Sequence, residues 1–418
     1  MDFDSFSFDD FLTEMEDLEV KKTKKFDRIW KVTKGGSVLT KPTFHNGLIY
    51  FGCMDGNIYA VDAKNGEEMW RFATGDRSTS SPFLMDGKIF VTSYDKCVYA
   101  LDMKGKELWR FITGGEIFGS VAGIKGKIFF GSRDSYVYCL NSENGKLLWR
   151  FRTGDEITNT PVVDNERLYI GSFDRNFYCI DIEDGSEIWR FKTGGEIFYP
   201  GPSLVYKGVV YFASFDNYLY AVDAKTGKEL WRFRTGKYGN TAPPSLGANI
   251  LYQGTRDGIL YALTLEGKEI WRFTAPNLLT TPLFYNNRVF VGCEDGNLYC
   301  LDKNSKELWR FQTDGLIAWA PEVSGEFIYF GSLDCHLYCV GISNGKEIWR
   351  FATNSRVRSE LPPPHESFEA VIKKKDIEES MEEEKYSSQI SRSSFESEYL
   401  IKSEYTFKSE YQTKSEYR

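Results

Sequence analysis

The sequence predicts an all-β protein: an eight-bladed β-propeller of four-stranded antiparallel blades, flanked by disordered tails. Three observations lead there. Trp30, Trp70, Trp109, Trp149, Trp189, Trp231, Trp271, Trp309 and Trp349 recur at intervals of about 40 residues, and a fixed period of that length marks one supersecondary unit repeated in tandem. Each interval holds four short runs rich in Val, Ile, Tyr, Phe and Trp, bounded by Asn, Asp or Gly. The runs lie too close together for a crossover helix, so neighbouring strands are antiparallel. Eight such units close into a disc around a central channel.

The elements follow in order within each unit, and the fourth shows them clearly. Residues 160–165 supply an inner strand, 167–174 a second, 176–181 a third, and 185–191 a fourth that carries the Trp. Between the second and third strands every unit places an aspartate: Asp55, Asp95, Asp134, Asp174, Asp216, Asp257, Asp295 and Asp334. An Asp side chain accepts a downstream backbone N–H and holds such a turn closed, so these carboxylates are expected to be structural. Between the third and fourth strands Gly66, Gly145, Gly185, Gly227 and Gly345 supply the positive-φ residue of a tight hairpin. Unit seven departs, with Asn304-Ser305 in that place.

The third strand Tyr59-Ala60-Val61-Asp62, the turn at Gly66 and the following Trp70-Arg71-Phe72 recur together across residues 28–353. This pattern resembles the pyrroloquinoline-quinone-type (PQQ-like) β-propeller repeat of the quinoprotein alcohol dehydrogenase-like superfamily and of outer-membrane assembly lipoproteins. The resemblance implies that Trp70, Trp109, Trp149, Trp189, Trp231, Trp271, Trp309 and Trp349 each stack on the neighbouring blade. No Trp-Asp dipeptide ends the units, as a WD40 array requires, and the paired glycines of kelch repeats are missing. Ile29-Trp30-Lys31-Val32 duplicates the fourth strand that unit eight already has at 348–351. Either it adds an outer fifth strand to a blade, or it displaces the C-terminal copy and closes the ring.

Charge sits mainly outside the repeats. The chain carries a formal charge of −8, with nine acidic and five basic residues in 1–28 and fourteen against eleven in 355–418. The propeller is therefore near neutral and shows no Lys/Arg stripe for phosphates, so nucleic-acid binding is not expected. Cys139, Cys179, Cys300 and Cys339 occupy a third-strand slot that holds Ala60, Ala100, Ala221 and Ala262 elsewhere. Cys53 and Cys293 replace Ser132, Ser172 and Ser332, and small buried thiols suit both slots. Cys335, His336 and Cys339 resemble half of a zinc site with no second half, and no metal is expected. Met1-Asp2-Phe3-Asp4 opens without a basic segment before an apolar run, and no stretch reaches about 20 apolar residues. The expectation is a cytoplasmic chain without a membrane span.

Three domains are expected: an acidic amphipathic segment 1–24, the propeller 25–354, and a tail 355–418. In the first, Phe8, Phe11, Leu12, Met15 and Leu18 fall at helical spacing, with Ser7 and Asp10 as a capping pair. This segment either docks on the propeller or frays, or it is a partner-docking segment that folds into a groove. In the tail, Ser-Glu-Tyr recurs at 397–399, 403–405, 409–411 and 415–417. That period of six reads as low-complexity sequence, as an edge-adding strand or as a multivalent tether.

Catalytic signals are sparse. Quinone enzymes resembling this fold need calcium ligands, a catalytic aspartate and commonly an adjacent cysteine pair; this chain has no Cys-Cys and three histidines, His45, His336 and His365. No catalytic residue and no cofactor are expected, and a quinone-dependent oxidoreductase stands as an alternative. Binding is the better reading. The segments entering the inner strands place Phe118, Phe198, Tyr199 and Trp319 near one mouth of the channel, beside Arg77, Glu116, Glu156 and Glu196. These aromatics either form a recognition collar for a peptide or small ligand, or plug the channel as core. The function expected is a non-catalytic scaffold that binds protein partners through blade loops or tails, with a small-ligand sensor as the alternative.

Overall fold

The computed structural model describes residues 36–199 and 201–353, and among these every element is a strand. Eight sheets follow one another, each a four-stranded antiparallel meander whose strands lie in chain order from the channel outward. Blade one runs through Thr43–His45, Leu48–Gly52, Asn57–Asp62 and Glu68–Ala73; blade eight through Glu322–Ser324, Phe327–Gly331, His336–Gly341 and Glu347–Ala352. No described helix is long and apolar enough to cross a membrane.

The Trp-Arg-Phe triplet of each outer strand explains why the blades hold together. The indole N–H donates to a backbone carbonyl of the next blade: Trp70 to Met103 O at 3.2 Å, Trp149 to Ile182 O at 3.1 Å, Trp231 to Leu265 O at 3.0 Å. The same ring covers the next blade's hairpin glycine, where an added Cβ would lie 2.6 Å from Trp109 at Gly145. The following Phe meets the next blade's third-strand Tyr edge-on, as Phe72 meets Tyr99 at 5.3 Å and Phe191 meets Tyr220 at 5.3 Å. In seven of the blades the Arg between them clasps a Glu three residues earlier and lies over its own blade's Tyr, as Arg190 does with Glu187 and Tyr178. Two aromatic side chains per blade thus bury their faces across each joint, and edge-to-face geometry adds to that burial.

The turn aspartates are structural, as expected. In blade four Asp174 accepts the Asn176 N–H at 2.8 Å and the Tyr178 hydroxyl, while Gly154 N–H of the preceding blade donates to its second oxygen at 2.7 Å. Seven of the eight follow this pattern with their own Tyr; Asp257 instead accepts from Thr255 and from Lys237 N–H. The hairpin glycines adopt positive φ, for example 66° at Gly145, and Ser305 is forced to φ 70° in unit seven.

Ring closure is non-covalent. Trp349 donates to Ala63 O at 3.1 Å and lies on Gly66, while Thr353 Oγ1 donates to Gly36 O at 2.7 Å. The C-terminal strand therefore fills the outer position of blade eight, and the reading in which the 29–32 copy displaces it is excluded. Trp30, residues 29–32, the partner-docking residues Phe8, Phe11, Leu12, Met15 and Leu18, and the Ser-Glu-Tyr repeats lie outside the described residues. All eight cysteines are buried thiols without disulfides.

Candidate functional site

The two ends of the channel differ. At one, the segments entering the inner strands pair with the residue just before each turn aspartate: Tyr94 N–H to Arg77 O at 3.0 Å, Arg133 to Glu116 O at 2.9 Å, Phe173 to Glu156 O at 3.0 Å, Phe215 to Glu196 O at 2.9 Å. These pairings carry a ring of side chains around the mouth. Leu39, Tyr94, Phe118, Phe198, Leu278, Leu316, Ala318 and Leu333 are buried there in one apolar layer. Met54, Phe173, Phe215 and Trp319 pack against it while keeping part of their surface in solvent. Phe198 lies between Phe173 at 5.3 Å and Phe215 at 5.1 Å, and Tyr94 is 4.2 Å from Phe118.

Polar groups ride on top of this layer. Arg133 bonds Glu116 at 3.0 Å and Glu156 at 2.6 Å, with its guanidinium 5.2 Å over the Phe118 ring. Arg256 lies 5.6 Å over Phe215. Partial burial pushes the Glu196 carboxyl above the usual carboxylate range; Arg175 opposes the shift and Asp155 adds to it.

Three of the four aromatics expected at the mouth are therefore together, with Phe118 and Phe198 as buried plug and Trp319 at its edge. Tyr199 is a correction. It is fully buried in the core of blades four and five and bonds Ser203 at 2.9 Å, because successive residues of an extended segment point to opposite sides. Arg77, Glu116, Glu156 and Glu196 are half-buried around the same mouth. The sequence reading missed Met54, Tyr94, Arg133, Phe173, Phe215 and Leu333. Their signal was available: each immediately precedes a repeating turn aspartate and varies from blade to blade.

On the channel side of Trp319 a cavity of about 820 Å³ runs along the inner strands to His45. Its lining is apolar and hydroxylic, with Trp319, Phe44 and Phe83 beside Ser81, Ser120, Thr160 and Thr281. Its one lysine, Lys41, already pairs with Glu322 at 2.8 Å.

These residues do not fit a calcium-held quinone. Among the described residues no group of three or more His, Cys, Asp or Glu is placed to hold a metal ion, and the turn aspartates are committed to backbone and tyrosine donors. His336 Nδ1 sits 2.9 Å from the Asp334 carbonyl, and Cys339 is buried in a strand opposite Trp349. Burial raises the thiols of Cys53, Cys97, Cys139, Cys179, Cys293, Cys300 and Cys339, that of Cys97 to about 12, which keeps them protonated and unreactive near neutrality.

Comparison with known proteins supports the architecture. The profile of a family described as "Outer membrane protein assembly factor BamB", a PQQ-type repeat, matches residues 24–119, 98–216 and 215–361. BamB from Moraxella catarrhalis superimposes with a TM-score of 0.63 at 18% identity, covering 71% of this chain and 94% of that one. The computationally designed Ika8 protein gives 0.67 at 18% identity, over 74% and 98%. Quinohemoprotein alcohol dehydrogenase ADHIIG from Pseudomonas putida HK5 gives 0.61 at 16% identity, over 72% of each chain. A beta-alanine-activating enzyme of Danio rerio is 34% identical over 77 residues, 17% of this chain, and the match spans 6% of that enzyme's length.

Proposed function

We propose, from the premise that this chain belongs to the PQQ-like β-propeller repeat family, that it is a non-catalytic propeller which binds a protein partner on its plugged face. The observation that carries this reading is the plug itself. Phe173, Phe215 and Met54 are half-exposed on a buried apolar layer, and the Arg133–Glu116–Glu156 clasp and Arg256 surround them. Aromatic and Arg side chains on a rigid apolar base are the composition of binding hot spots. The eight turn aspartates are engaged by tyrosine, threonine or backbone donors and the cysteines are buried in the core, which also favours binding.

The test is partner capture from the native host by full-length protein and by a Phe173→Ser/Phe215→Ser variant. A partner retained by the first and lost by the second, with unchanged thermal unfolding, supports the assignment. Equal capture by both removes this face from the function.

A second reading has its own observation, the 820 Å³ cavity with Trp319 at its end. A neutral, hydroxyl-bearing small ligand suits that lining, since its one lysine is already paired. Trp319→Ala would abolish binding of such a ligand and leave partner capture intact.

A further inference from the structure

Seven outer strands share one design, and the third breaks it. In every blade the outer strand bulges at the residue before its Trp, so that this residue and its predecessor stand opposite a single partner. The bulge residue is an exposed aliphatic throughout, from Met69 to Ile348. Its predecessor is Glu68, Glu107, Glu187, Glu229, Glu269, Glu307 or Glu347 in seven blades, each clasping the Arg three residues on. In blade three it is Leu147. Leu147 and Leu148, 44% and 47% exposed, form a contiguous apolar pair found on no other described outer strand.

Losing the glutamate also unbalances charge. Arg150 is left over Tyr136 at 4.6 Å, with Arg152 on the same ring at 5.9 Å and exposed Lys146 beside the leucines. None of these three cations has a carboxylate within ion-pair distance among the described residues. The outer strand Leu147–Arg152 and the lysine just before it thus join two exposed leucines to three positive charges without an ion pair.

The chain itself supplies a matching segment. Residues 1–19 hold eight acidic and no basic residues, interleaved with Phe8, Phe11, Leu12, Met15 and Leu18. The described structure begins at Gly36, two blades round the ring from blade three. The 17 residues between 18 and 36 span up to about 60 Å when extended. Adjacent sheets pack about 10 Å apart at close contact, widening outward, so this tether reaches the blade-three rim.

We propose that the acidic amphipathic segment 7–18 docks in cis on the outer strand of blade three, its apolar side chains on Leu147 and Leu148 and its carboxylates on Lys146, Arg150 and Arg152. The interaction is electrostatic at its margin, so it weakens with salt. Leu147→Glu restores the Glu–Arg clasp of the other seven blades, breaks the apolar pair and neutralises Arg150.

The test uses the full-length chain with a zero-length carbodiimide cross-linker, which joins lysine amines to carboxylates in contact. Amide hydrogen exchange over 147–152 runs alongside. The expected result is a cross-link within single chains between Lys146 and carboxylates of residues 9–19. It falls to background in Leu147→Glu and in Phe11→Ser/Leu12→Ser, and exchange over 147–152 speeds up in the latter variant while the other outer strands are unchanged. Cross-links from Lys146 to Glu378–Glu384 instead would overturn the proposal in favour of the C-terminal acidic run. Cross-links found only in dimers would overturn docking in cis. Identical exchange over 147–152 with and without Phe11 and Leu12 would sink it outright.

Discussion

At the scale of the residue, the repeating unit of cohesion is a tyrosine that answers to three neighbours. Tyr178 donates to Asp174 of its own turn, takes Arg190 of its own outer strand over its face, and receives Phe151 of the preceding blade at 5.4 Å. Burial first, then the Asp174 carboxylate, lifts this phenol from 10 to about 12. The fold holds the neutral form, so its contribution is complete below pH 10 and is lost as pH rises through about 12. Alkaline titration followed by phenolate absorbance and circular dichroism is expected to show these tyrosines ionising together with loss of the strand signal. Ionisation of every tyrosine at pH 10 with the fold intact would refute it. Ser305 offers a gain: it holds φ 70° where seven blades use glycine. Ser305→Gly is expected to raise stability by about 1 kcal/mol in urea unfolding.

At the scale of the element, the outer strand is where sequence and structure agree most closely. Its Trp is periodic because it has one job repeated eight times, donating to and covering the next blade, and periodicity is visible in a single chain. Trp189→Ala removes the bond to Ala224 O and the packing on Gly227. It is expected to cost about 3 to 5 kcal/mol in equilibrium unfolding. The entry loops were less legible. Phe198 and Tyr199 are neighbours in sequence, yet one faces the channel plug and the other the core between blades. No alternation within a short loop says which side faces the axis, so the aromatics could be placed at the mouth but not sorted into plug and core. Phe173 and Phe215 were overlooked for a related reason: beside the repeating aspartate each looked like turn filler.

At the scale of the whole molecule, the ring closes on the same contacts that join its other blades. Trp349 reaches Ala63 O at 3.1 Å as Trp309 reaches Ile342 O at 3.0 Å, and no strand is shared across the joint. The ends of the ring therefore meet, Thr353 Oγ1 bonding Gly36 O at 2.7 Å. A circular permutant linking 353 to 36 and opened between Lys237 and Tyr238 is expected to fold with the parent's melting temperature. Failure to fold would show that the seam between blades eight and one must form last.

That seam also gives the molecule a mechanical weak point. Gly36 and Thr353 leave the ring on opposite sides of one joint, so tension applied between them bypasses seven joints and loads the eighth alone. Its indole hydrogen bond, aromatic cover and threonine contact are the latch that yields first. A pull on the two ends would open the ring at blade one against blade eight in a single small step, before any blade loses its strands.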